Sequence, residues 1–138
     1  MRASRRKRDV VRLIISGGGT GGHVYPALAV VQKLAQQLAE LDILWVGSQG
    51  GMEQTLVERA GLTIETISAA SVRGKNPIAV IGSLWALTQG YHQSRQIIRR
   101  FRPDVLFVTG GYVCVPVTLA ARRAGVPVII YLPDIEPG

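Results

Sequence analysis

The stretch richest in chemical potential is Ser16-Gly-Gly-Gly-Thr-Gly-Gly-His23, where five glycines surround one threonine and run into a histidine. Glycine has no Cβ, so such a backbone can approach a ligand closely and adopt positive φ, letting successive N–H groups converge on one anion. A helix beginning near Tyr25, with Pro26 at its first position, would add its positive amino end. A phosphate or diphosphate cradle built from Gly18, Gly19, Thr20, Gly21 and Gly22 is the expectation; a tight strand-to-helix turn is the plainer alternative, and it needs fewer glycines. A second pair, Gly110-Gly111, followed by Tyr112, repeats the pattern ahead of Pro116. Two such loops on neighbouring strand ends would face one crevice, and a diphosphate is long enough to touch both. Taken alone, Gly110 and Gly111 fit two ordinary turns equally well.

Gly17, Gly19 and Gly22 also satisfy G-x-G-x-x-G, the dinucleotide-binding spacing. That motif works with an acid about 20 residues on, at the end of the second strand, which holds the ribose. Here that strand ends Trp45-Val46-Gly47-Ser48, without an acid. A mononucleotide P-loop fails too, since His23 and Val24 stand where lysine and a hydroxyl residue belong. Arg73 and Lys75 flank Gly74 in a loop that could make charge-assisted contacts to a diphosphate or to lipid head groups, or simply be solvated. His92 sits among polar neighbours in a helical stretch and reads as a surface residue.

These loops need elements to position them, and strand and helix signals alternate along the chain. Val10–Ser16 is a short β-branched run, and Tyr25–Glu40 carries Leu28, Val31, Leu34 and Leu38 at helical spacing. The unit recurs as Ile43–Ser48 with Met52–Ala60, as Thr63–Ala69 with Ile78–Phe101, and as Val105–Thr109 with Pro116–Ala124. Gly61 and Gly125 act as helix stops, and Val128–Tyr131 forms a fifth strand. Strands that are continuous apolar runs are buried on both faces, and helical crossovers between them require parallel pairing. The fold class is therefore an α/β, Rossmann-like, open doubly wound parallel sheet, whose ligands bind beyond the carboxyl ends of the strands.

Composition bounds the rest. A chain of 138 residues with 47% hydrophobic content fits one domain, expected over residues 10–138. The +7 net charge owes much to Arg2, Arg5, Arg6, Lys7 and Arg8. Residues 1–9 read as a disordered basic leader rather than a nucleic-acid arm, since no aromatic residues interleave the cations; attraction to an anionic membrane fits the charge equally well. Cys114 is the one cysteine, so a disulfide-stapled secreted fold is excluded and a reducing cytosol is the expected home. No signal-peptide cleavage pattern and no run of about 18 apolar residues is present. No residue cluster calls for a metal or a cofactor. Pro77–Leu87 is apolar and contains Trp85; a buried crossover helix is the reading that sequence favours, while an interfacial helix on a lipid surface would place Trp and Leu on one side.

Gly18-Gly-Thr-Gly-Gly-His-Val-Tyr-Pro26 with Ala27-Leu-Ala29, Arg73-Gly-Lys75, Pro103-Asp-Val105 and Gly110-Gly-Tyr-Val113, in this order, resemble the undecaprenyl-diphospho-muramoylpentapeptide N-acetylglucosaminyltransferase family. The resemblance spans roughly residues 10–131. It implies a two-domain GT-B enzyme of peptidoglycan synthesis that converts lipid I into lipid II on the cytoplasmic face of the membrane. In it the amino-terminal half binds the lipid-linked diphosphate acceptor, and a carboxyl-terminal domain, absent here, holds most of the UDP-N-acetylglucosamine. The acceptor 4-hydroxyl attacks the anomeric carbon with inversion, which needs a base; His23 is the candidate, with diphosphate contact or helix capping as its alternative. The Pro77–Leu87 region is similar to the family's membrane-facing patch. The family's His-Glu-Gln-Asn after the fifth strand is here Tyr131-Leu-Pro-Asp134, which puts Asp134 at a donor-contacting position. A non-catalytic module that captures a lipid- or nucleotide-linked diphosphate is the alternative of a different class.

Overall fold

The computed structural model describes residues 10–18, 21–38, 40–69 and 76–131, with backbone alone at 21–23. Five strands and four helices alternate: β1 (Val11–Gly17), α1 (Gly21–Gln37), β2 (Leu41–Ser48), α2 (Glu53–Arg59), β3 (Thr63–Ile67), α3 (Pro77–Phe101), β4 (Val105–Gly110), α4 (Cys114–Arg123) and β5 (Val128–Ile130). The strands form one sheet in the order β3-β2-β1-β4-β5, and every pairing is parallel. The chain thus winds outward from β1 through β2 to β3, then returns to the other side of β1 for β4 and β5. The order reverses between β1 and β4, and in open α/β sheets that reversal opens the ligand-binding crevice.

Alternation along the strands feeds two cores, one on each face. Leu13, Ile15, Trp45 and Phe107 pack with Val24, Ala27 and Val31 of α1 and Val57 of α2. Ile14, Leu44, Val46, Leu106 and Val108 pack on the opposite side with Ile97 and Ile98 of α3 and Val117, Ala120 and Ala121 of α4. Burying both faces explains why the strand centres Leu13–Ile15, Ile43–Val46 and Leu106–Val108 are apolar without interruption. The Ile43–Ser48 and Val105–Thr109 expectations both lie inside the observed β2 and β4.

Two expectations are corrected. Helix α1 starts at Gly21, not near Tyr25, so Pro26 lies inside the helix instead of at its first position. Proline has no N–H to offer the carbonyl four residues back, that of Gly22, and so the cost falls on a single hydrogen bond next to the helix start. The second correction concerns α3. Its buried residues are Gly90, Ser94, Ile97 and Ile98, all in its second half, whereas Ile78, Ile81, Leu84 and Trp85 stand 53–78% exposed. The first half of this crossover helix is therefore not buried, and no element among the described residues covers its apolar side. Asn76 caps α3 by accepting from Ile78 N at 3.0 Å, with Pro77 next in the chain.

Candidate functional site

The two glycine loops emerge from adjacent strands at the reversal point and touch through their backbones. Gly18 N donates to Gly110 O at 3.1 Å, and pairing of β1 with β4 shifts register between Ser16 and Gly17 to bring Gly17 opposite Gly110. Gly110 and Gly111 hold φ of 124° and 99°, a region that L side chains rarely enter. A Cβ on Gly111 would lie 2.7 Å from Gly18 O. Glycine at 111 is thus demanded twice, by conformation and by the neighbouring loop. Tyr112 lies in the turn ahead of α4 and is half exposed. Pro116 occupies the first turn of α4, where its missing N–H costs nothing.

Beneath the loops the strand ends are tied together by side chains. Trp45 Nε1 donates to Gly17 O at 3.1 Å and Ser16 Oγ to Val46 O at 3.0 Å, fixing β1 against β2. The Cys114 thiol lies 3.2 Å from Ser16 O and 3.1 Å from Gly110 O, bridging β1 and β4. Burial pushes the Cys114 thiol above its ordinary pKa, and the charge of Glu53 adds in the same direction. The thiol is therefore a protonated donor in the folded chain at neutral pH, and a reactive nucleophile is not what this site builds.

Of the expected site residues, Gly18, Gly110, Gly111 and Tyr112 are brought together around the β1–β4 reversal. Gly21, Gly22 and His23 form the first residues of α1 by their backbone, and the His23 side chain lies outside the described residues. So do Gly19, Thr20, Arg73, Lys75 and Asp134, and the basic leader of residues 1–9. His92 is exposed on α3, as its polar neighbours imply. A cavity of about 990 Å³ lies at the opposite ends of the strands, lined among others by Arg12, Arg99, Arg102 and Asp104. It is remote from both glycine loops, at the end of the sheet that doubly wound folds do not use for ligands.

Sequence reasoning passed over Glu53. Its carboxylate is 1% exposed and folds back to the tip of β2, where Oε1 accepts from Ser48 N and Ser48 Oγ, both at 2.7 Å. An acid therefore does stand at the end of the second strand, delivered from α2. It is closed off from solvent, so it is not offered to a ribose, and the dinucleotide reading gains nothing. The signal that could have found it is the trio Gly47, Gly50 and Gly51 just ahead of a first-turn acid.

Comparison with known proteins identifies the family of this fold. Residues 13–131 match the glycosyltransferase family 28 N-terminal domain. The chain is 43% identical to the UDP-N-acetylglucosamine–N-acetylmuramyl-(pentapeptide) pyrophosphoryl-undecaprenol N-acetylglucosamine transferase of Roseiflexus sp. (strain RS-1), over 100% of this chain and 37% of that protein. It is 41% identical to the Desulforamulus reducens protein of the same name, over 93% of this chain and 34% of that one. It spans little more than a third of the length of these relatives. Among solved structures, MurG of Acinetobacter baumannii superposes with a TM-score of 0.73 at 31% identity, over 87% of this chain and 34% of that one. The glycosyltransferase of kitacinnamycin superposes at 0.64 with 20% identity, a likeness of fold. From its sheet order, its paired glycine loops and the match over most of its length, the chain belongs to the glycosyltransferase family 28 N-terminal domain family.

Proposed function

We propose that this chain is the acceptor-binding half of an inverting glycosyltransferase that moves N-acetylglucosamine from UDP-N-acetylglucosamine to a lipid-linked muramoyl-pentapeptide, turning lipid I into lipid II. The observation that carries this reading is the backbone junction of the two glycine loops at Gly18, Gly110 and Gly111, at the reversal point of the sheet. A diphosphate is the ligand long enough to draw on both. Gly18, Gly19, Thr20, Gly21, Gly22, Gly110, Gly111 and Tyr112 would hold it, with Arg73 and Lys75 adding charge-assisted bonds. His23, at the first turn of α1, would take the proton of the attacking 4-hydroxyl as that oxygen bonds to the anomeric carbon and the UDP diphosphate departs. A carboxyl-terminal domain like that of the longer relatives would supply the donor, leaving Asp134 at its border.

The same reading gives the chain a place on the inner face of the cytoplasmic membrane, beside its lipid-linked acceptor. No helix among the described residues is long and apolar enough to cross a membrane. The support is the uncovered face of α3, where Ile78, Ile81, Leu84 and Trp85 are exposed together and follow Arg73 and Lys75 in the chain.

Calorimetry of the chain with a soluble lipid I analogue and with UDP-N-acetylglucosamine, run in parallel, tests the assignment. Acceptor binding with little or no donor binding is expected. Donor binding without acceptor binding would mean that the crevice serves the other substrate.

A further inference from the structure

The carboxylate of Glu53 is half satisfied. Oε1 accepts two hydrogen bonds from Ser48, while Oε2 is buried and has no hydrogen-bond partner among the described residues. No salt bridge joins a described cation to it; Arg100 pairs instead with Glu65. A buried, unpartnered carboxylate oxygen is costly, and native proteins seldom keep one without a use for it. The surroundings are built to admit this group. A Cβ on Gly18 would stand 2.7 Å from Oε1, one on Gly47 3.0 Å from Oε1, and one on Gly51 2.1 Å from Oε2. Three glycines, from the β1–α1 loop, from β2 and from the β2–α2 turn, therefore close on one carboxylate. Gly18 in turn carries the contact to Gly110 and Gly111.

We propose that Glu53 is the positioning residue of the first glycine loop, its second carboxylate oxygen kept for an N–H or O–H donor that comes within reach when a diphosphate occupies the loop. The inference rests on the diphosphate reading of that loop. Glu53 does not touch the anion, which a carboxylate would repel; it acts through the backbone that does.

Glu53→Gln separates this role from a structural one. The amide oxygen can still accept from Ser48 and the side chain fills the same volume, but the unpartnered position no longer carries charge or accepts a hydrogen bond. Measured with the full 138-residue chain, the variant is expected to melt no lower than the native protein without ligand. Its affinity for a short-chain isoprenyl diphosphate probe should fall about tenfold, the worth of one charge-assisted hydrogen bond. Unchanged affinity would overturn the proposal, and so would a variant that unfolds or melts well below the native chain without ligand, because Glu53 would then be a structural strut. If the native chain itself binds neither the probe nor inorganic diphosphate, the diphosphate reading of the loop fails, and this inference fails with it.

Discussion

At the scale of single residues, the crevice depends on places where a side chain has been left out. Gly111 combines a φ of 99° with a backbone neighbour 2.7 Å from where its Cβ would be. Gly111→Ala should therefore cost about 2–3 kcal/mol in chemical denaturation and should weaken diphosphate binding, because the strained conformation and the contact to Gly18 are lost together. Cys114 makes a second prediction, through pH. Its thiol is raised by burial, so above the ordinary thiol range the unfolded chain gives up a proton that the folded chain keeps. Stability is thus in place below that range and is lost as pH rises through the raised folded value. Cys114→Ala should be about 1 kcal/mol less stable near neutrality and should show a flatter decline in urea midpoint on the alkaline side; equal slopes for the two proteins would contradict this. The place of the glycine loops at the ends of β1 and β4 was legible from sequence because glycines punctuate strands and helices. Glu53 was not, because a first-turn acid ordinarily serves its own helix, and only folding brings Gly18 over its carboxylate.

At the scale of elements, strand order follows from where each helix can pack. Strands β1, β2, β4 and β5 were legible from their apolar runs and β3 from the repeat of strand and helix around it, and α2 and α4 from the glycines at 61 and 125, which hold φ of 78° and 75° just past the helix ends. The start of α1 was misplaced because the glycine run reads as a loop and so conceals a helix start at Gly21, and Pro26 invites reading as the first residue. The exposed half of α3 was misjudged for another reason: composition reports that a segment is apolar, but not whether another element reaches it. Where α3 does pack, it packs closely. A Cβ on Gly90 would lie 2.0 Å from Ser68 O and 3.3 Å from Pro116, and Gln93 Oε1 accepts from Ser68 N at 2.7 Å. Gly90→Ala should push α3 off the end of β3 and destabilise the chain by about 1–3 kcal/mol, the usual cost of overpacking, despite the better helix propensity of alanine. Thermal melting reads the effect; a variant as stable as the native chain would show that α3 is not seated there.

At the scale of the whole molecule, function is divided between two regions. In the proposed function the β1–β4 reversal would present backbone donors to a diphosphate, and the exposed half of α3 would present apolar side chains to a lipid surface. If α3 is a membrane contact, Ile81→Ser combined with Trp85→Ser should reduce sedimentation with vesicles rich in anionic lipid at least fivefold while leaving the melting temperature unchanged, since both residues are exposed; loss of fold without loss of vesicle binding would assign these residues to an interior contact. The central claim, that the two glycine loops form one acceptor site, is tested most directly by titrating the isotopically labelled chain with a soluble lipid I analogue and following the backbone amides by NMR. The expected result is a joint, saturable shift of Gly18, Gly110, Gly111 and the first turn of α1 with a single binding constant. Shifts confined to one loop, or centred on Arg12, Arg99 and Arg102 at the opposite end of the sheet, would contradict it.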